Sequence, residues 1–184
     1  MDRKLLLDQL THYGSSHPEE LLLVTQFKSL LKHPRCFYRD HLPGHITGSA
    51  WITNQRHTKV LLIHHAKLNK WLQPGGHADG IENILTVAKK ELKEETGITE
   101  VHQVQQSLFD IDIHQIPAST DFPAHYHYDI RFLFRTEESD HLSGNHESLD
   151  IQWVPLSSIE AYSTEKSVLR MKDKLSHRSA IWNQ

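Results

Sequence analysis

The chain has 184 residues, 38% hydrophobic, with 20 Lys and Arg against 23 Asp and Glu for a net charge of −3, which suits one domain with a sizeable core and is too little for two large ones. So slight an acidic excess excludes a basic field that recruits nucleic acid non-specifically. The single cysteine, Cys36, excludes an intrachain disulfide framework and a cysteine-based zinc cluster.

The first forty residues carry leucines at 5, 6 and 10 and again from 21 to 31, on either side of a break at Ser15 to Pro18. Two helices are expected, forming an N-terminal helical extension over residues 1–40 whose leucine stripes need burial, most simply on the same chain. The opening apolar run is too short for a secretion signal, and no stretch approaches the roughly 18 apolar residues of a membrane span, so a soluble, cytoplasmic protein is expected. Ile46 to Thr53 and Lys59 to His65 are β-prone around Asn54 to His57 and predict paired strands. After Trp71 and Leu72, the cluster Pro74, Gly75, Gly76 and Gly80 makes a tight loop whose backbone can come close to a ligand.

The segment GHADGIENILTVAKKELKEETGI, Gly76 to Ile98, follows. A helix advances about 100° per residue, so Glu91, Glu94 and Glu95 share one face, Leu85, Ala88 and Leu92 share a neighbouring one that can be buried, and Lys89, Lys90 and Lys93 take the far side. Gly97 supplies the stop. Like charges so close repel, and something cationic should compensate. Hard carboxylate oxygens suit Mg²⁺ or Mn²⁺, although a solvated acidic face describes most Glu-rich helices.

Further along, Val101 to Ile116, Tyr126 to Arg135 and Ile151 to Val154 predict strands, and a C-terminal helix is expected from about Thr164 to His177. In HYHYDIRFLFR, alternation sends Tyr126, Tyr128, Ile130, Phe132 and Phe134 to one face and His125, His127, Asp129 and Arg131 to the other. The polar face is either solvated or a substrate-pocket wall, with His125 and His127 donating to phosphate or binding a transition metal with Asp129, and Arg131 clamping a phosphate or pairing with Asp129.

The segment from Gly76 resembles the Nudix box, GX5EX7REUXEEXGU, where U is a bulky aliphatic residue. Gly76, Glu82, Glu91, Leu92, Glu94, Glu95, Gly97 and Ile98 match, eight of nine specified positions over 23 residues, and Lys90 stands where the pattern has arginine. The resemblance implies an α/β fold, an α/β/α sandwich with a mixed sheet, over residues 41–184. It implies a hydrolase acting on acid anhydrides, with Mg²⁺ or Mn²⁺ held by Glu91, Glu94, Glu95 and the Gly76 carbonyl, in which activated water cleaves a diphosphate linkage. Glu82 matches the acid of the GX5E portion, which orders the site or assists the attacking water; Glu94 and Glu82 are thus the box's catalytic candidates. Relatives often place an extra acid in a later loop, which makes Glu147 a further candidate. The box arginine normally orients a glutamate through a forked ion pair, a geometry lysine cannot make.

Gly75, Gly76, His77, His125, His127 and Arg131 are the substrate-binding candidates. His64, His65 and His114 are also candidates to approach the site, but a structural role is the expectation for these three. Trp51, Trp71, Phe122 and Tyr126 are equally suited to stacking on a nucleobase and to core packing. The expected partner is a small diphosphate compound of nucleoside-diphosphate type, with no stable nucleic-acid or membrane partner and with a homodimer left open. Two alternatives are a nucleotide-binding sensor that does not cleave and a metal-dependent isomerase. The intact acids argue against the first, and the second would need a further cysteine or acid pair in the pocket.

Overall fold

The computed structural model describes residues 2–120, 122–138 and 141–182, the last five of these by backbone alone. The helices are α1 (Arg3–Thr11), α2 (Pro18–Leu30), α3 (Ile84–Thr96) and α4 (Lys166–Trp182), with a 3-10 turn at Leu156–Ala161. The strands are β1 (Gly44–Asn54), β2 (Lys59–His65), β3 (Lys70–Leu72), β4 (Gly75–His77), β5 (His102–Gln103), β6 (Asp110–Ile116), β7 (His125–Thr136) and β8 (Ser148–Pro155). Hydrogen-bonded neighbours run β3-β2-β1-β7-β5, while β4 pairs with β1, β6 with β7 and β8 with β2. The chain falls into two compact units, and β1, α3 and β7 each contribute residues to both.

The first unit holds residues 1–49, 75–88 and 107–132. Asp2 caps α1 by accepting from the Leu5 amide at 2.9 Å, and Pro18 opens α2, where a missing amide proton costs nothing. Leu6, Leu10, Phe27 and Leu31 are buried within this unit, whereas Leu5, Leu21 and Leu22 stay exposed, so the two N-terminal helices bury their stripes only in part. Glu20 of α2 is fully buried, but it accepts from the Tyr13 hydroxyl at 2.6 Å and from the Ile111 amide of β6 at 3.3 Å. A buried carboxylate so supplied holds α2 to the sheet. Strands β6 and β7 are antiparallel from Asp110↔Arg131 to Ile116↔His125, and β4 lies antiparallel to β1 with Thr47↔His77 and Ser49↔Gly75. A Cβ on Gly75 would meet the Ser49 side chain at 2.1 Å, so only glycine allows this approach.

The second unit holds residues 50–74, 89–106 and 133–184. Val60, Leu61, Leu62 and Ile63 of β2 are all buried, as a continuous apolar run between two paired strands should be, and β2 is antiparallel to β8 from Lys59↔Pro155 to His65↔Ser148. The β1–β2 turn is closed by Asn54, whose side-chain oxygen accepts from the Thr58 amide at 2.8 Å. Val168, Met171 and Leu175 give α4 its buried stripe.

The expected strands at Ile46 to Thr53, Lys59 to His65, Tyr126 to Arg135 and Ile151 to Val154 are present within a few residues. The expected strand from Val101 to Ile116 is broken instead. β5 pairs with β7 at Arg135 and Phe134, and β6 pairs with β7 from Arg131 to His125; the Val104 amide still donates to the Leu133 carbonyl and the Phe109 amide to the Arg131 carbonyl, so residues 105–108 leave the ladder between the two pairings. Gln105, Gln106 and Ser107 interrupt the apolar alternation there, while Leu108 and Phe109 are drawn into the core. Among the described residues no helix is long and apolar enough to cross a membrane.

Candidate functional site

Helix α3 begins at Asn83, whose side chain accepts from the Thr86 amide at 3.3 Å, and ends where Gly97 takes a φ of +77°. Ile84, Val87, Ala88 and Leu92 supply its buried stripe, while Leu85, expected among the buried positions, is only partly covered. In the second unit, the three acids of the REUXEE stretch are graded in exposure. The Glu94 side chain is 51% exposed, that of Glu91 is 13% exposed, and Glu95 is buried.

Lys90 Nζ lies 3.1 Å from Glu91 Oε1 and 3.1 Å from Glu94 Oε2, so one ammonium bridges two carboxylates. Burial works against that charge, but the hydrogen bonds to Glu94 and Glu91 outweigh it and hold the lysine above its ordinary pKa. Burial raises Glu91 above the usual carboxylate range; Lys90 opposes the shift, while the charges of Glu94 and Glu147 add to it. Glu147, on the loop before β8, is therefore an electrostatic neighbour of Glu91. A half-buried carboxylate flanked by two more acids is a setting that rewards a cation, and hard oxygen donors on a helix fit Mg²⁺ or Mn²⁺.

In the first unit, the box glycines lie on β4, with Gly76 opposite Gly48 and Gly75 opposite Ser49. Glu82 is engaged elsewhere than the sequence suggests, because Arg3 of α1 donates to Glu82 Oε1 from Nη2 at 2.9 Å and from Nε at 3.2 Å. The same guanidinium reaches the carbonyls of His33 and Pro34, tying the box loop to α1 and to the segment that follows α2.

The polar face of β7 is not solvated. Arg131 is 2% exposed and donates from Nε to Asp129 at 2.7 Å, from Nη1 to Asp110 at 3.0 Å and from Nη2 to Asp112 at 3.3 Å. Burial opposes the guanidinium charge, and the three aspartates more than offset it, so the arginine is held firmly protonated. Thr47 and Ser49 of β1 donate to Asp129 at 3.1 and 2.8 Å. Of the roles the sequence left open for Arg131, pairing with Asp129 is the one present.

His125 and His127 also turn inward, toward His45 of β1 and His77 of β4. Ring centroids lie 5.0 Å apart for His45 and His125, 4.9 Å for His77 and His127, and 5.1 Å for His125 and His127. Burial lowers His127 to about 2 and both His45 and His77 to about 4, so these rings are neutral at physiological pH. Asp129, grouped with His125 and His127 in the sequence reading, is occupied by Arg131, Thr47 and Ser49, and His45 takes its place. The signal for His45 was the alternation His45, Thr47, Ser49, which faces β7 as one polar row.

The other histidines have local partners, as expected of structural ones: His64 with Asn69 at 3.0 Å, His65 with the Leu68 amide at 3.3 Å, and His114 with Asp112 at 3.2 Å. Trp51 is fully buried and unavailable for stacking on a base, whereas Tyr126 is 41% exposed.

Residues 44–174 match the NUDIX domain. The chain belongs to the NUDIX family. Nudix enzymes generally use divalent metals such as Mg²⁺ or Mn²⁺. No curated protein is similar enough in sequence to match. Solved structures agree in fold. A Caenorhabditis elegans Ap4A hydrolase, in a binary complex, superposes with a TM-score of 0.60 at 18% identity, covering 73% of this chain and 97% of that one. The Escherichia coli dihydroneopterin triphosphate pyrophosphohydrolase gives 0.56 at 14% identity, covering 72% and 95%. A NUDIX-family hydrolase from Clostridium perfringens gives 0.54 at 25% identity, covering 72% and 96%. The N-terminal helices precede the matched NUDIX region.

Proposed function

We propose that this Nudix enzyme cleaves a diphosphate linkage in a nucleoside-diphosphate-type substrate by attack of water, with Mg²⁺ or Mn²⁺ as cofactor. The observation that carries the reading is the Lys90 bridge: Glu91 and Glu94 point their oxygens at one position that a cation already serves, and Glu91 is partly desolvated there. Glu91, Glu94 and Glu95 would hold the ion. When bound, the ion neutralises phosphate oxygens and makes water a competent nucleophile near neutral pH. Lys90 holds Glu91 and Glu94 oriented, and it can withdraw toward solvent when a stronger cation arrives, since its side chain is 47% exposed.

Glu147, whose charge is felt by Glu91, is the fourth acid of this reading, in the role of accepting a proton from the attacking water. The change Glu147→Gln should lower kcat about tenfold, about 1.4 kcal/mol, while leaving KM in place; an unchanged kcat removes it from the site. The Gly75–Gly76 backbone and the Gly76 carbonyl enter this reading through the resemblance of the box alone. Glu82, paired with Arg3, takes an ordering role rather than a chemical one.

The experiment is phosphate and pyrophosphate release from a panel of nucleoside triphosphates, nucleotide sugars and dinucleotides, with Mg²⁺ or Mn²⁺ against a chelator. Turnover that requires the metal supports the reading and begins to name the substrate. Tight binding without turnover across the panel would overturn it in favour of a sensor.

A further inference from the structure

We propose that His45, His77, His125 and His127 form a second metal site, separate in chemistry from the acid helix, that takes a first-row transition-metal dication, zinc foremost. Each ring offers one nitrogen, and the four nitrogens lie within 4.8 Å of one another. Imidazole nitrogen suits Zn²⁺, Cu²⁺, Ni²⁺ or Co²⁺, whereas the oxygen donors of α3 suit Mg²⁺ and Mn²⁺, so the two sites select different ions.

The tautomers favour ligation. His125 Nδ1 donates to the Pro123 carbonyl at 2.8 Å, which leaves a lone pair on Nε2. His45 Nδ1 faces the His41 carbonyl at 3.4 Å, which likewise leaves the Nε2 lone pair free to turn inward. Backbone carbonyls bound to the outer nitrogen are the usual way of fixing the tautomer of a metal-ligating histidine. One inner atom is then left without a partner, while two others are hydrogen-bonded to each other. His45 is 1% exposed and its Nε2 is buried without a hydrogen-bond partner, and His125 Nε2 lies 3.2 Å from His127 Nε2. Unpartnered nitrogen in so dry a place is costly, and a cation shared by the four rings removes the cost.

The distances suit the ion. With metal–nitrogen bonds of about 2.0–2.1 Å, a tetrahedral site has nitrogen–nitrogen edges of about 3.4 Å. The His125–His127 edge, at 3.2 Å, is already of that length. The widest pair would close by about 1.4 Å, a matter of small χ adjustments. Four protein ligands leave no open position, which marks a structural site rather than a catalytic one. The ion would fasten β1, β4 and β7 together and fix the strand that carries Gly75 and Gly76.

The test uses the untagged full-length chain. Zinc content is measured after exhaustive dialysis, and the apo-protein is titrated with Co²⁺ while visible absorption is followed. The expected result is one zinc retained per chain, a strong tetrahedral Co²⁺ spectrum, and loss of both in His127→Gln but not in Glu94→Gln. Retention unchanged in His127→Gln, or lost in Glu94→Gln, would overturn the proposal. If His127→Gln does not fold, the wild-type spectrum still decides, since weak bands of octahedral oxygen coordination, or no binding, would contradict it. None of these readouts is hydrolysis, so failure here is distinct from failure of the diphosphate reading.

Discussion

Helix α3 and strand β7 both gather charged side chains on one face, and they do opposite things with them. On α3, a single lysine lies between half-exposed Glu94 and largely covered Glu91, and burial leaves Glu91 reluctant to carry its charge. On β7, Asp129 and Arg131 are sealed from water and satisfied on several sides, by Asp110 and Asp112 across the β6 pairing and by Thr47 and Ser49 of β1. The helix holds charges that a ligand would relieve, and on that the proposed metal site rests. The Asp–Arg stretch of the strand holds charges already answered, and that is the mark of a scaffold.

The difference is sharpest for Arg131. Replacement by Met removes the guanidinium that all three aspartates face, and breaking a buried pair on one side should cost about 3–5 kcal/mol in denaturant unfolding. A loss below about 1 kcal/mol would show that the polar face is wetter than the structure has it. On the helix, Lys90→Arg restores the planar fork of the family pattern beside two carboxylates and should raise turnover about threefold, about 0.65 kcal/mol. A fall in turnover would mean that the ammonium bridge itself is tuned for this enzyme.

The smallest effect concerns Cys36, which is fully buried and whose thiol is pushed up to about 11 from an ordinary 9.0, chiefly by burial. The folded state therefore favours the neutral thiol. Its contribution is intact below about pH 9 and is lost as pH rises toward 11. Iodoacetamide should leave the folded protein unlabelled at pH 8 and label it fully in denaturant; fast labelling of the folded chain would show an open, reactive thiol.

The same comparison explains what the sequence made legible. The acid face of α3 and its glycine stop lie within one helix, where spacing alone decides which residues share a face, although Lys90, expected on the far side, reaches Glu91 and Glu94 instead. The fate of the β7 polar face depended on what lies across from it. Alternation put His125, His127, Asp129 and Arg131 on one side, but only the register with β6 and the neighbouring row on β1 decide between solvent and burial. His45 escaped notice for that reason, as did the Arg3 pairing that removes Glu82 from the acids free to act, a contact 79 residues apart in sequence. The break in the strand at residues 105–108 has the same origin, since its two ends pair with different parts of β7.

The most direct measurement of the central claim is steady-state turnover of Glu94→Gln on whichever diphosphate the wild type hydrolyses, with thermal unfolding followed in parallel. Glu94 is half exposed and its loss should barely move the unfolding midpoint, while turnover with Mg²⁺ should fall about a hundredfold or more, about 2.7 kcal/mol of transition-state stabilisation. Full turnover in that variant with Mg²⁺ present would contradict the assignment of α3 as the metal-binding centre.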